Sequence, residues 1–540
     1  MSLDDKTVSP SASHAERAVP HNMSPAEIAD AQRAALAEHR LGFAEALQKY
    51  KKAIIWSVIV SMTIVMESYD TILLGSFYAY PTFQKKFGDK IGPTSYSVPA
   101  QWQSALGMGA NIGIVIGIFA NGFLIDKFGH KPVILVSLVV LTGFIALTFA
   151  ATSRGMLLAG QILCGLPWGT LNTIAPSYAI ETAPLALRHY TPTFVNLCWV
   201  IGHLIGAGVL DGLVNNTTEW GWRLPFALQW MFPLPLFALI LFAPASPWWL
   251  VRKGKQEEAV DALNRLSDSS VDNTQVAALM RHTVELEAKL NFGNTYWDCF
   301  RGVDLRRTEI ACISWIAQAL VGFSLQGNNA YFFELAGLAS TDAFKLNLGV
   351  YALAFLGTTL SLPLQSWFGR RTIWLAGLVA MFVPMILIGI LACVTQSSGI
   401  KWAQAVLLLV WFFMYGWSFG PLPYVICSEI GSAQLRSKTI SLSRNAYYII
   451  SIVNTVAAPY MLNPTKGNLK GKAAFVPAAF ILLIFAWSFW RFPETKGRSF
   501  EEIDIMFARN VPAREFGSYV IHPADEFDGA AEERKSDHER

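Results

Sequence analysis

Long apolar runs alternate with short polar links along most of the chain. A helix needs about 20 apolar residues to cross a bilayer. Twelve runs reach that length, at roughly 53–79, 102–124, 132–152, 155–178, 191–213, 223–243, 308–333, 344–365, 372–394, 403–427, 438–461 and 473–492. A central polar stretch, 244–307, separates six runs from six. It reads as amphipathic helices, as in Lys255–Leu266 and Val276–Leu290. The pattern predicts an all-α membrane protein of two six-helix bundles, 53–243 and 308–492, with polar tails 1–52 and 493–540. The stretch Ser24–Lys52 suits a further amphipathic helix. The polar start has no apolar signal-peptide core, so the run 53–79 is expected to act as targeting signal and first span.

Composition sharpens this picture. The 540 residues are 53% hydrophobic and only 15% charged, against roughly 25% charged in ordinary globular domains. Much of the surface must therefore face lipid. The net charge of +3 comes from basic residues scattered between apolar blocks, so it points to no nucleic acid, and none is expected as a partner. Six cysteines, Cys164, Cys198, Cys299, Cys312, Cys393 and Cys427, have neither metal spacing nor a paired framework and are expected as buried thiols. No metal, no cofactor and no catalytic Ser/His/acid set is expected. Gly109, Gly113 and Gly117 repeat every four residues, the pattern of small-residue helix packing.

Lysine and arginine set the orientation. With both tails and the central stretch in the cytoplasm, the short inner loops hold Lys127, Lys131, Arg188, Arg370, Arg371, Arg436 and Lys438. Asn215-Asn216-Thr217-Thr218 then falls in an outer loop, where its two overlapping glycosylation acceptor patterns belong.

The two halves echo each other. Gly129-His130-Lys131 follows the second run and Gly369-Arg370-Arg371 the eighth. Glu181 and Arg188 follow the fourth, Glu429 and Arg436 the tenth; Pro244 ends the sixth and Pro493 the twelfth. The offsets of 240, 248 and 249 residues indicate a parallel duplication. Such repeats place a cavity near the membrane midplane in many transporters. The loop charges Asp126, Lys131, Glu181, Arg188, Glu429, Arg436 and Arg370 are candidate gating residues: they pair across helix ends, cap helix dipoles or simply set topology.

Several stretches resemble the sugar-porter family of the major facilitator superfamily: Gly122 to Lys131, Pro176 to Arg188, and Pro493-Glu494-Thr495-Lys496-Gly497. Others are similar to fungal α-glucoside (maltose-type) permeases: Met66-Glu67-Ser68-Tyr69-Asp70, Cys164 to Gly169, Leu224 to Trp230, and Ser246 to Lys253. The resemblance implies the major facilitator fold and proton-coupled disaccharide symport by alternating access. It implies a monomer in the plasma membrane, with sugar, protons and lipid as partners. Four positions depart from the family pattern: Gln161 replaces a helix 4 arginine, His203 a helix 5 glutamine, and Ala245 and Ser366 two acidic residues. These departures leave two alternatives, a sugar uniporter and a sugar sensor with little transport.

Glu67 and Asp70 lie three apart inside the first run, on one helix face. A charge at the bilayer centre costs at least about 2.5 kcal/mol, so such residues face a cavity. Two close carboxylates resist joint ionisation, which makes proton uptake by one of them feasible. The alternative is a packing or gating hydrogen bond. Arg444, inside the eleventh run, is a candidate counter-charge; nearer the helix end it would instead snorkel to the surface. By resemblance, Gln318, Tyr424 and His203 occupy sugar-contacting places. Asn328, Asn329 and Asn445 are further polar candidates, and each could equally serve helix packing.

Overall fold

The computed structural model describes residues 24–519 apart from 92–94, 185–186, 188–189, 291–295, 324, 396, 433–434, 497 and 499. Apart from a two-stranded pair, Asp89–Lys90 with Tyr96–Ser97, its regular elements are helices. The spans are α1 Lys51–Phe77, α2 Ala100–Phe128, α3 His130–Phe149, α4 Arg154–Thr182, α5 Tyr190–Leu213 and α6 Trp220–Ile240 in the first half. The second half holds α7a Gly302–Leu320 with α7b Asn329–Leu335, α8 Ser340–Trp367, α9 Arg370–Leu391, α10a Ser398–Trp417 with α10b Leu422–Ile430, α11 Arg436–Leu462 and α12 Phe475–Arg491.

Among the described residues, nine helices are long and apolar enough to cross a membrane: α1, α2, α3, α5, α6, α8, α9, α10 and α12. The three other expected spans coincide with α4, α7 and α11. These carry the polar residues of the interior, including Gln161, Asn172, Gln318, Arg444 and Asn454. Two spans are broken, the second at Gly420–Pro421, where the prolines are expected to bend the helix. The run 308–333 divides at 321–328, where Gly327 adopts φ +88°, a conformation that suits glycine. The run 403–427 breaks at 418–421, beside Pro421. Irregular backbone at membrane depth is tolerated where protein or a polar cavity surrounds it.

The packing repeats with the sequence. In the first half α2 packs on α4 and α1 on α5; in the second α8 packs on α10a and α7a on α11. The halves meet through α5 against α8 and α2 against α11, which is the same pairing exchanged. Glycine permits the α2–α4 contact: a Cβ on Gly113 would lie 2.2 Å from the Ile162 carbonyl oxygen. The outward face is apolar, with Phe123 82% and Leu483 67% exposed. A belt of such residues fits lipid rather than water.

The central segment folds as Pro247–Arg252, Gln256–Leu266 and Asn273–Leu290. The helix Pro25–Arg40 packs on the last of these, and Arg281 pairs with Glu27 at 2.8 Å. This end is the loop side; the opposite end is the far side. On the far side the halves touch closely. A Cβ on Gly75 of α1 would lie 2.1 Å from the Gly327 carbonyl oxygen. The Gln84 amide donates to Glu334 at 3.2 Å, and the Asn463 amide to the Val98 carbonyl at 3.1 Å. Of the cysteines, Cys164, Cys198, Cys299 and Cys427 are buried as expected, Cys312 is half-buried and Cys393 is exposed.

Candidate functional site

Between the halves lies a cavity of about 340 Å³, walled by α1, α2, α5, α7a, α8, α10 and α11. Glu67, His203, Gln318, Tyr424 and Arg444 line it. A second cavity of about 210 Å³ lies between α1, α2, α4, α7 and α11, lined by Asp70, Gln161 and Asn328 among others. The two carboxylates of α1 thus address different spaces. Glu67 faces the larger cavity, and Asp70 accepts a hydrogen bond from the buried Gln229 amide of α6.

Glu67 is fully buried. The Asn172 amide of α4 donates to its Oε1 at 3.0 Å and also to the Tyr448 hydroxyl of α11 at 3.1 Å. Among the described residues, Oε2 of Glu67 has no hydrogen-bond partner. One amide therefore ties a buried carboxylate of the first half to a phenol of the second. Arg444 sits one helical turn before Tyr448. Its guanidinium lies over the rings of Trp315 (4.3 Å), Tyr447 (5.2 Å), Tyr448 (5.3 Å) and Tyr424 (5.7 Å). Desolvated cation–π contacts are worth about 2 kcal/mol or more. They hold the cation on the cavity wall, close enough for its charge to act on Glu67. Arg444 does not reach for a helix end.

The other expected sugar contacts divide. His203 stacks on Tyr351, 4.9 Å between centroids and 12° between planes, with Trp199 behind it at 6.0 Å. Tyr424 stands edge-on to Trp315 at 4.6 Å. The Gln318 amide donates to the carbonyls of Phe419 (3.2 Å) and Gly420 (3.0 Å), satisfying acceptors that the α10 break leaves orphaned. Gln318 thus supports the break while lining the cavity. Asn329 lies behind the wall, where its amide donates to the Tyr351 hydroxyl at 3.1 Å. Asn445 lines neither cavity.

The gating candidates gather in two loop-side clusters. In the first half, Glu181 accepts from the Ser246 hydroxyl and lies 3.5 Å from Arg252 and 3.7 Å from His130. In the second, Glu429 accepts from Arg370 at 2.9 Å and from the Thr495 hydroxyl at 2.5 Å. Glu494 caps α9, accepting from the Arg370 amide at 2.7 Å and the Arg371 amide at 3.2 Å. Lys131 Nζ donates to the Leu241 carbonyl at 2.8 Å. Arg188 and the side chains of Asp126 and Arg436 lie outside the described residues.

Sequence reasoning does not single out Asn172, Tyr351, Asn111 or Asn454. An amide in an apolar run is an ordinary packing residue until its neighbours are known. Ser246, read only beside the missing acid at Ala245, also gains a role as the hydroxyl partner of Glu181.

Residues 56–507 match the family described as sugar (and other) transporter. Curated relatives from Saccharomyces cerevisiae include maltose permease MAL31, 40% identical over 503 residues, spanning 92% of this chain and 82% of that one. The general alpha-glucoside permease is 39% identical over 502 residues, spanning 92% and 81%. Among solved structures, the partially occluded inward-open xylose transporter XylE from E. coli superposes with a TM-score of 0.68 at 19% identity, covering 83% of this chain and 100% of that one. XylE bound to 6-bromo-6-deoxy-D-glucose gives 0.68 at 21% identity, covering 85% and 99%. The extent of these matches, together with the repeated helix packing around a cavity between the halves, means that this multi-pass membrane protein belongs to the sugar transporter family of the major facilitator superfamily.

Proposed function

We propose that the protein carries an α-glucoside, a disaccharide of the maltose type, together with protons across the plasma membrane by alternating access. Both tails and the 244–307 segment lie in the cytoplasm in this reading, so the closed far side is the outer gate. The observation that carries it is the Glu67–Asn172–Tyr448 bridge beside Arg444, inside a cavity between the halves. A symporter needs a group that binds a proton in one state and releases it in another. The bridge ties such a carboxylate to the helix that must move when the halves rock. Relatives named as maltose and alpha-glucoside permeases support the sugar class.

In this account, opening the outer gate separates Gly75 from Gly327 and hydrates Glu67 and Asp70 from outside. Sugar in the cavity then favours closure through its greater affinity for the closed form. His203, Tyr351 and Tyr424 offer aromatic faces to the sugar's C–H surface; Gln318 and the neighbouring amides offer hydrogen bonds. The loop-side clusters around Glu181 and Glu429 hold the inner gate and are remade in each cycle. Uptake of labelled maltose by yeast lacking its own α-glucoside transporters, with medium pH recorded, tests the reading. The expected result is medium alkalinisation on sugar addition and accumulation that a protonophore abolishes. Uptake that only equilibrates would support a uniporter, and binding without uptake a sensor.

A further inference from the structure

The smaller cavity adjoins the larger one. The two share Thr71, Asn111, Gln326 and Asn454 as lining, so they lie side by side as two lobes of the space between the halves. Their chemistry differs. The larger lobe has the aromatic wall of His203, Tyr351, Tyr415 and Tyr424. The smaller lobe has Trp168 and a ring of amides. One of these, Gln161 of α4, is 1% exposed, and among the described residues its Nε2 has no hydrogen-bond partner. A buried donor left unsatisfied is costly, so native proteins rarely keep one without a use for it. Gln161 itself lines the smaller lobe, so a turn of its side chain brings this covered donor to that space. The lobe ends at Leu74, Gly75 and Gly327, where the halves close on the far side.

We propose that the smaller lobe is a second glycosyl subsite, which receives one ring of a disaccharide while the other lies against the aromatic wall. Gln161 donates to a hydroxyl of the ring in the smaller lobe. This rests on the sugar-transport reading and deepens it: the second lobe makes the protein prefer two-ring over one-ring α-glucosides. Because that lobe abuts the Gly75–Gly327 closure, the second ring also touches the far gate. Asp70 shares the lobe, but its carboxylate is already engaged by Gln229.

The test compares KM for maltose and for methyl α-glucoside, which has a single ring, in yeast lacking its own α-glucoside uptake. Gln161→Leu keeps the side chain's bulk and removes the donor. Its maltose KM should rise between about two- and tenfold, the effect of one net hydrogen bond, while methyl α-glucoside KM stays unchanged. Gln161→Asn, still an amide, should fall between wild type and Gln161→Leu. Leu74→Phe narrows the lobe without touching the amide and should shift the preference the same way, which covers the case in which Gln161→Leu fails to reach the surface. Equal KM changes for the two sugars, or none, would assign Gln161 to packing and overturn the subsite alone. A wild-type protein that takes up neither sugar would overturn the transport reading itself.

Discussion

The two loop-side clusters occupy matching places in the two halves, yet they are built differently. In the second half a full ion pair, Arg370–Glu429, is reinforced by Thr495, and the Glu494 carboxylate caps α9. In the first half His130 stands where Arg370 does, Ser246 where Thr495 does, and Ala245 where Glu494 does. The spot that Glu494 covers over Gly369 is covered over Gly129 by the indole of Trp249: a Cβ on Gly369 would strike the Glu494 carboxylate, and one on Gly129 would lie 3.1 Å from that ring. One half thus closes its helix junction with a short ion pair and a carboxylate cap, the other with an aromatic lid and the longer Arg252–Glu181 pair. Inside the membrane the distribution reverses. The carboxylates Glu67 and Asp70 belong to the first half, and the buried cation Arg444 to the second. Duplication supplied the same scaffold twice, and the charges then diverged by depth. The half that carries the proton-binding candidates has the longer ion pair at its latch, 3.5 Å against 2.9 Å.

The largest effect is expected from breaking the midplane charges. Arg444→Ala should lower maltose uptake at least a hundredfold while surface expression persists, because a buried carboxylate loses its counter-charge across the halves. Uptake normalised to surface fluorescence checks this. Next comes the charged latch. Arg370→Ala should cost about 1.5–3 kcal/mol, the worth of a hydrogen bond to a charged group, seen as a lower melting temperature in detergent. The matched change His130→Ala should cost less than about 1 kcal/mol. Equal losses would erase the asymmetry between the halves. Tyr448→Phe should then cost roughly 0.5–1.5 kcal/mol for one net hydrogen bond. It keeps the ring over Arg444, so binding should survive while the pH profile of uptake shifts. The smallest effect belongs to Trp249→Phe, which keeps an aromatic lid over Gly129 and removes an indole N–H that has no partner among the described residues. Melting should change by no more than a few degrees.

What the sequence made legible follows from what a membrane makes conspicuous. A charge in an apolar run stands out because it is costly, so Glu67, Asp70 and Arg444 could be found without a structure. The repeat was legible because loop charges and prolines recur at nearly constant offsets. Asn172 was not, although it joins Glu67 to Tyr448, since one amide among apolar residues carries no cost signal. The α7 break was hidden because Gly322 and Gly327 read equally well as small residues of a packed span. Gln318 lines the larger cavity, but its bonds to the Phe419 and Gly420 carbonyls depend on a break in another helix. Asn328 and Asn329 are sequence neighbours with the same chemistry. Only the geometry of α7b sends one to the smaller lobe and the other to Tyr351.

The most direct test of the account is the split between accumulation and exchange in Glu67→Gln. The glutamine keeps an acceptor for the Asn172 amide but cannot bind and release a proton. The account predicts that Glu67→Gln still exchanges labelled for unlabelled maltose across the membrane yet no longer concentrates it, with or without a protonophore. A Glu67→Gln protein that still concentrates maltose in a protonophore-sensitive way would contradict it and place the coupling proton on another group.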